Sequence, residues 1–230
     1  MKNIVGLFLL FLISCQGRQE TKAIADNSKF KQLDEYFADS LNIGRKSNNK
    51  IDLSLFRTDD SIFVVINFYS KQNEKWVLKN HYEFEKDGIT GLDTKLSDFN
   101  KVGLNDMTYI SAVAARGANE VRRLFIYDKD NDQLTLMKNS EDYPNMLYNK
   151  ELDCIDAFLV YGGCSTVFLK ISGDSLKEFA SVELFDGLYV RTYDELGKEK
   201  IILEDTAHKG EYERYKNYNP LKEYEESDFK

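Results

Sequence analysis

The stretch that decides the fold is residues 51–85, IDLSLFRTDDSIFVVINFYSKQNEKWVLKNHYEFE. Three runs within it show the two-residue period of β-strands that bury one face, and polar turn formers separate them. The runs are residues 51–57, 61–69 and 75–85. In the last run, one packed face is predicted for Trp76, Leu78, Tyr82 and Phe84. The stretch therefore predicts an antiparallel β-meander.

The same pattern continues through most of the remaining chain. Eight further short strands are predicted, at residues 106–115, 121–127, 133–137, 152–160, 165–171, 176–184, 187–193 and 198–204. The two prolines, Pro144 and Pro220, lie outside these runs, as sheet strands require. Many short strands joined by turn residues indicate an all-β fold, an antiparallel meander forming a sandwich or a partly closed barrel.

A different period precedes the first strand. Apolar residues recur there at helical spacing, at Phe30, Leu33, Tyr36, Phe37 and Leu41. Gly44 follows as a plausible stop signal. This spacing predicts one short amphipathic helix at the N-terminal end of the domain.

The first fourteen residues are typical of a secretory signal peptide, with one charge at Lys2 and an apolar run over residues 4–13. Such a run is too short to cross a bilayer, which takes ~20 helical residues. The run ends in Leu12-Ile13-Ser14-Cys15, which resembles the lipobox of bacterial lipoproteins. That resemblance implies cleavage before Cys15 and a diacylglycerol on its thiol. We therefore expect residues 1–14 to be removed and Cys15 to be the lipid anchor.

The mature chain divides into a polar tether, residues 15–28, and one β-rich domain, residues 29–230. Removing residues 1–14 takes away one of 31 basic residues and leaves 39 acidic ones, a net charge of −9. This charge argues against nucleic acid as a partner and favours a basic protein. Attachment to the membrane is expected through the lipid alone. The last twenty residues contain five aromatic side chains and are expected to pack back on the domain.

Residues 97–106, SDFNKVGLND, resemble a calcium loop in the spacing of their oxygen-bearing side chains. The candidate ligands are Asp98, Asn100 and Asp106, and Gly103 would permit the tight turn. Val102, however, stands where another carboxylate or amide would normally complete the site. Two interpretations are therefore open: a weak calcium site, or a turn that keeps the shape of one.

Two cysteines, Cys154 and Cys164, remain once Cys15 is acylated. An even pair in an exported protein is compatible with a disulfide. A hairpin that turns at residues 161–163 would not place them opposite each other, and buried free cysteine is common. Both the bridged and the free states therefore stay open.

Catalytic patterns are sparse. The two histidines, His81 and His208, lie near no recognisable nucleophile motif and in no zinc-ligand cluster, so both are interpreted as ordinary surface or edge residues. Paired carboxylates could perform glycosidase chemistry, but 39 acidic residues guarantee chance pairs. These observations favour a protein that is not an enzyme and has no cofactor.

The central segment carries a family resemblance in three pieces: DFNKVGLNDMTYIS from residue 98, GANEVRRLFIYDKDNDQL from residue 117, and EDYPNM from residue 141. They resemble secretion-system-associated lipoproteins related to the periplasmic inhibitor of invertebrate-type lysozyme. The likeness covers residues 95–185 and implies a β-sandwich that inhibits a lysozyme. Residues 172–175, SGDS, lack the aromatic residue of the Ser-Gly-x-Tyr motif associated with such inhibitors.

The leading hypothesis is a noncatalytic lipoprotein of the cell envelope, on the inner or outer membrane, with its domain in the periplasm or at the cell surface. Its loops would bind another protein, and the predicted contacts are Arg116, Asn119 and Tyr161, in glycine-bearing loops at strand ends. The alternatives are a hydrolase of glycan or peptidoglycan, marked by a cleft with two perturbed carboxyl groups, and a structural subunit of an outer-membrane assembly, marked by a large exposed apolar patch.

Overall fold

The computed structural model describes residues 32–210 and 212–229. The predicted signal peptide, the tether and Cys15 lie outside these residues. The described chain forms sixteen strands: β1 (Gln32–Asp39), β2 (Asn49–Arg57), β3 (Ile62–Gln72), β4 (Lys75–Lys86), β5 (Lys95–Ser97), β6 (Asp106–Ala114), β7 (Asn119–Asp128), β8 (Gln133–Leu136), β9 (Leu147–Asn149), β10 (Cys154–Val160), β11 (Cys164–Ser172), β12 (Ser175–Leu184), β13 (Leu188–Tyr193), β14 (Glu199–Asp205), β15 (Tyr215–Tyr218) and β16 (Leu221–Glu223). Single 3-10 turns lie at Ala115–Gly117, Ser140–Asp142 and Glu226–Phe229.

The strands form three antiparallel meanders and one hairpin. We call β1–β4 the first sheet, β5–β8 the middle sheet, β9–β14 the last sheet and β15–β16 the C-terminal hairpin. Within each sheet, every strand pairs with its neighbours in the chain. The sheets pack on one another and stay open at their edges, so the predicted all-β sandwich is confirmed.

The middle sheet is buried on both faces, and β7 shows how. Phe125 and Tyr127 pack with side chains of the first sheet, whereas Leu124 and Ile126 pack with those of the last sheet. Successive residues of a strand point to opposite faces, so a strand between two layers needs an unbroken apolar run. Residues 124–127, LFIY, supply it.

Polar contacts also join the first and middle sheets. The Asp132 carboxylate, in the turn before β8, accepts hydrogen bonds from Asn49 Nδ2 at 2.8 Å, from the Tyr127 hydroxyl at 2.8 Å and from the Ser70 hydroxyl. Asn49 and Ser70 belong to the first sheet. Because buried polar groups are costly when unpaired, this network fixes how the two sheets meet.

The predicted N-terminal helix is wrong where the structure describes it, because residues 32–39 form β1. This edge strand pairs with β2, and its register shifts between Leu33 and Glu35. Phe37 packs on the core shared with the middle sheet, whereas Leu33 and Tyr36 are exposed. The shift breaks the two-residue period, which is why the spacing looked helical. Gly44, at φ +50°, forms an isolated β-bridge with Asn105 and ends no helix.

The packed face predicted for β4 is confirmed only in part. Tyr82 and Phe84 pack on the core, but Trp76 and Leu78 are exposed. The register with β3 shifts by one residue between these two pairs, so that Asn80 lies opposite Phe68 and Leu78 lies opposite Tyr69. A one-residue shift moves the following side chains to the other face of a sheet.

The C-terminal residues pack back on the last sheet, as predicted. Tyr215 is buried in the core of that sheet, and its backbone N–H donates to Thr166 Oγ1 at 3.0 Å. Arg214 and Tyr224 both donate hydrogen bonds to the carboxylate of Asp156 in β10. The tail is therefore held by apolar burial and by one buried acidic group.

Candidate functional site

The predicted calcium ligands Asp98 and Asn100 lie in the loop between β5 and β6. Asp98 accepts hydrogen bonds from the backbone N–H groups of Val102 at 3.1 Å and Gly103 at 2.8 Å. Asn100 Oδ1 accepts a longer one from Val102, at 3.3 Å. Both side chains thus stabilise the turn that carries them, as Asp and Asn commonly do.

Asp106, the third predicted ligand, is fully buried at the start of β6. Its two oxygens accept the backbone N–H groups of Phe99 and Tyr127, each at 2.7 Å. Burial raises the pKa of its carboxyl group to about 7, and the nearby Asp98 adds to the rise. Within the described chain, no group of three or more His, Cys, Asp or Glu side chains is placed to hold a metal ion. The choice between a weak calcium site and a turn that only keeps the shape of one stays open.

The cysteine pair is not bridged. Cys154 and Cys164 are both free and buried. Cys164 lies opposite Val160 in the β10–β11 hairpin, six residues from Cys154 along β10. That separation is ~20 Å at the rise of a strand, whereas a disulfide needs Cα atoms within ~7 Å. The disulfide interpretation is therefore wrong; burial raises the pKa of the Cys154 thiol to about 12.

The predicted contact residues meet at one end of the molecule. The side chain of Asn119 accepts the backbone N–H of Val160 at 2.9 Å and donates to its carbonyl at 2.9 Å. This double contact places the turn carrying Arg116 beside the turn carrying Tyr161. Asn119 therefore links the middle and last sheets by hydrogen bonds, whereas Arg116 and Tyr161 are exposed. We call the turns at residues 115–118, 161–163 and 185–187, with residues 206–210 and Tyr212, the loop end.

The turn that carries Arg116 has an unusual backbone. Ala115 and Arg116 have φ values of +49° and +58°, followed by Gly117 at +93°. Side-chain-bearing residues adopt this region at a cost of order 1 kcal/mol each. Two such residues in succession define the backbone of this turn, and therefore the position from which the Arg116 side chain projects.

Two exposed aromatic side chains, Phe185 and Tyr212, line a cavity of about 680 Å³ at the loop end, and Tyr161 lies beside Phe185. Tyr161, Phe185 and Tyr212 are 43%, 65% and 59% exposed, and the rings of Tyr161 and Phe185 lie 6.3 Å apart. Gly163 lines the same cavity, where a Cβ atom would lie 2.2 Å from the carbonyl oxygen of Leu184. Large exposed aromatic groups beside a concavity are typical of protein-binding surfaces.

Acidic side chains lie along the last sheet next to the loop end, which itself carries Asp186, Arg116 and Lys209. Burial raises the pKa of Tyr189, and the nearby Asp186, Glu204 and Glu183 raise it further. Glu183 also accepts a hydrogen bond from the Tyr161 hydroxyl at 3.1 Å and pairs with Arg191. Carboxylates around exposed aromatic rings favour a cationic partner surface.

Sequence reasoning missed Phe185 and Tyr212. Phe185 stands in LFDGL, between two predicted strands, and a lone aromatic residue within a turn is the signal that could have identified it. Tyr212 lies in a polar stretch without a comparable signal.

The two histidines do not form a catalytic arrangement with each other. His81 Nδ1 contacts Asn67 Oδ1 at 2.7 Å in the first sheet. His208 Nε2 lies 3.7 Å from Glu213 near the C-terminal hairpin.

In the described part of the chain, the two carboxyl groups whose pKa values are raised lie in different sheets. Burial raises the pKa of Asp106 in the middle sheet and of Glu178 in the last sheet. Asp106 is enclosed and bonded to two backbone N–H groups, so it faces no cleft. These two groups do not supply the acid pair that the hydrolase alternative requires.

The edge strand β14 is exposed along its length. It presents three consecutive aliphatic side chains, Ile201, Ile202 and Leu203. Its register with β13 shifts at Ile202, because Val190 lies opposite Leu203 and Arg191 opposite Ile201. A bulge of this kind twists an edge and opposes regular pairing with another strand.

No protein-family model matches the sequence, and no curated protein matches it. Among solved structures, the chain is similar to a Xanthomonas protein described as type IV secretion system related, with a TM-score of 0.47 and 9% sequence identity. The match covers 76% of this chain and 97% of that one. At this level the likeness assigns neither a family nor a function. No helix in the described part of the chain has the length and apolar character to cross a membrane.

Proposed function

We propose that the protein is a noncatalytic envelope lipoprotein whose loop end binds another protein. The observation that carries this proposal is the pair of exposed rings, Phe185 and Tyr212, that line one cavity, with Tyr161 beside Phe185 and next to the turn that presents Arg116. Aromatic and arginine side chains dominate the binding energy of protein interfaces, and here they project from a sheet scaffold. A surface of this kind acts by binding and does not need to catalyse a reaction.

The partner we propose is a basic protein. Glu183, Asp186 and Glu204 all lie near Tyr189, next to the loop end, and the mature chain is expected to carry a net charge of −9. Opposite charge accelerates encounter and disfavours acidic competitors. A cationic wall-degrading enzyme of the lysozyme type matches this chemistry and the family resemblance of residues 95–185, so inhibition of such an enzyme is the specific form of the proposal.

The test measures hydrolysis of peptidoglycan by purified lysozymes of several classes in the presence of the purified chain. Stoichiometric inhibition is expected at physiological salt, because non-specific attraction between opposite charges is screened there. Phe185→Ala should weaken binding about thirtyfold, the effect of losing ~2 kcal/mol at a hot spot. Tyr36→Ala is the matched control, since Tyr36 is also exposed but lies on β1 of the first sheet.

Two outcomes would contradict the proposal in different ways. An absence of inhibition for every lysozyme class would remove the inhibitor form and leave a different basic partner to be identified by capture from membranes. Release of product from peptidoglycan by the purified chain, abolished by one carboxylate substitution, would replace the noncatalytic proposal by the hydrolase.

A second candidate, a subunit of an envelope assembly, is favoured by the apolar edge of β14. Ile201, Ile202 and Leu203 together would be buried in such an assembly. Ile202→Lys should then shift the native complex to smaller size in detergent extracts, while Phe185→Ala leaves it unchanged. The opposite pattern of effects would favour binding at the loop end.

A further inference from the structure

A second cavity, of about 600 Å³, lies where the middle sheet meets the last sheet. Its apolar lining comes from both sides of that junction: Leu96, Phe99, Met146 and Leu147. The volume falls within the ~300–1,000 Å³ typical of small-molecule sites, which combine a mainly apolar wall with a few placed polar groups. This cavity is separate from the loop end and independent of the function proposed there.

Two arginines line this cavity, and they differ in what they already bind. The N–H donors of Arg122 already have acceptors within the protein: it donates to Glu120, to Thr108 Oγ1 and to both the carbonyl and the carboxylate of Asp93. Its role is to hold the wall in place. Its side chain is almost fully buried.

Arg214 keeps one nitrogen that makes no hydrogen bond within the described chain. Its Nε donates to the Asp156 carboxylate at 2.8 Å, and its Nη2 donates to the Asn145 carbonyl at 2.9 Å and to Asp156. Nη1 has no hydrogen-bond partner among the residues that the structure describes. The bonds of the other two nitrogens hold the guanidinium in place, and the rings of Phe158 and Tyr224 lie 5.9 and 5.6 Å from its carbon. Because Arg214 lines the cavity, Nη1 supplies it with a preorganised pair of N–H donors.

The charges around the cavity limit which ligand can accept a hydrogen bond from Arg214. Three basic side chains, Arg122, Arg214 and Lys95, face three acidic ones, Asp93, Glu120 and Asp156. A balanced set cannot neutralise a multiply charged ligand such as a polyphosphate. It suits a molecule with one acceptor group and an apolar body, whose burial supplies most of the binding free energy.

We propose that this cavity binds an apolar monocarboxylate. The carboxylate accepts the Nη1 hydrogen bonds of Arg214, and the apolar body lies against Leu96, Phe99, Met146 and Leu147. An alkyl carboxylate and the C-terminal carboxylate of an apolar peptide share this chemistry. The probes are therefore octanoate, decanoate and acetyl-Leu-Leu, and whichever binds more tightly identifies the source.

Titration calorimetry of the purified chain in detergent-free buffer tests the proposal. Affinity should rise about fourfold for each methylene added from octanoate to decanoate, the equivalent of ~0.8 kcal/mol per buried methylene. Decylammonium has ten carbon atoms, as decanoate does, but its head group offers no hydrogen-bond acceptor. It should therefore bind at least tenfold more weakly than decanoate. If acetyl-Leu-Leu binds saturably and at least tenfold more tightly than its C-terminal amide, the ligand is the C-terminal carboxylate of a peptide.

Two matched variants place the binding in this cavity. Leu147 lines the cavity and is 37% exposed, so Leu147→Asp puts a repelling carboxylate there at small cost to stability; decanoate should bind at least tenfold more weakly. Leu196→Asp makes the same change at a leucine that is 93% exposed and does not line this cavity, and affinity should not change. Both variants should keep the wild-type circular dichroism spectrum. No saturable binding of any carboxylate, equal binding of decylammonium, or equal effects of the two variants would overturn the proposal.

Discussion

Replacing Arg214 by methionine should destabilise the domain by about 3 kcal/mol. Arg214 is the ion-pair partner of Asp156, whose side chain is fully buried. Breaking a buried pair by removing one member costs about 3–5 kcal/mol, because the other charge is left without its partner. Asp156 keeps two hydrogen bonds, from the Tyr224 hydroxyl at 2.5 Å and from Asn149 Nδ2 at 2.9 Å, which places the expected loss at the low end of that range.

Urea denaturation followed by far-UV circular dichroism measures this loss, and a thermal scan should show a decrease of roughly 6–12 °C in Tm for a domain of this size. Lys222→Met is the matched control, because Lys222 lies in the same tail but forms an exposed pair with Glu151. That control should cost less than about 1 kcal/mol. The double variant Asp156→Asn, Arg214→Met should be more stable than Arg214→Met alone, because it leaves no unpaired buried charge.

The reasoning is refuted if Arg214→Met and Lys222→Met cost the same, or if the double variant is no more stable than Arg214→Met. Either result would mean that Asp156 is hydrated in solution and that the tail is held by Tyr215 and its apolar neighbours alone.

Four further predictions follow from the buried groups and the N-terminal motif. Asp106 has a pKa raised from 3.8 to about 7, so the stability that its protonated form contributes is complete below pH ~4 and is lost as pH rises through 7; unfolding free energies of the wild type and Asp106→Asn, compared from pH 4 to pH 8, should diverge by up to about 4 kcal/mol. Thiol titration of the denatured, unreduced chain should find Cys154 and Cys164 free, and Cys154→Ser should have the same stability cost with or without oxidant. Tm should change little between millimolar calcium and chelator, and a stoichiometric micromolar isotherm would contradict this. In fractionated cells, Cys15→Ala should move the protein from the membrane to the soluble fraction, and a wild-type protein that is already soluble would exclude the lipid anchor.

Much of the fold follows from periodicity, and the misses have local physical causes. All eleven predicted strands are present, because each has enough residues for an alternating pattern or an apolar run to show. The three-residue strands β5 and β9 are too short to establish a period. Strand β1 was misread as a helix because its register shift coincides with exposed apolar residues at Leu33 and Tyr36.

The candidate site was predictable only as a set of loops. Arg116, Asn119 and Tyr161 were identified from glycine-bearing turns, but their proximity depends on a side chain, Asn119, that bonds to the backbone of another sheet. No local pattern encodes a contact across 41 residues of chain. The donor of Arg214 was equally hidden, since its partner Asp156 lies 58 residues away.

Asparagine side chains connect the two proposed binding surfaces. Asn145 Oδ1 accepts the backbone N–H of Glu120 at 3.0 Å, and its Nδ2 donates to the carbonyls of Ala118 and Phe158 at 2.9 and 2.8 Å. Its own backbone carbonyl accepts a hydrogen bond from Arg214. One residue thus contacts the turn of Arg116 at the loop end and the anchoring group of the cavity between the sheets. The two proposed functions are independent, but if a ligand displaced Arg214, Asn145 is the residue through which the displacement would reach this turn.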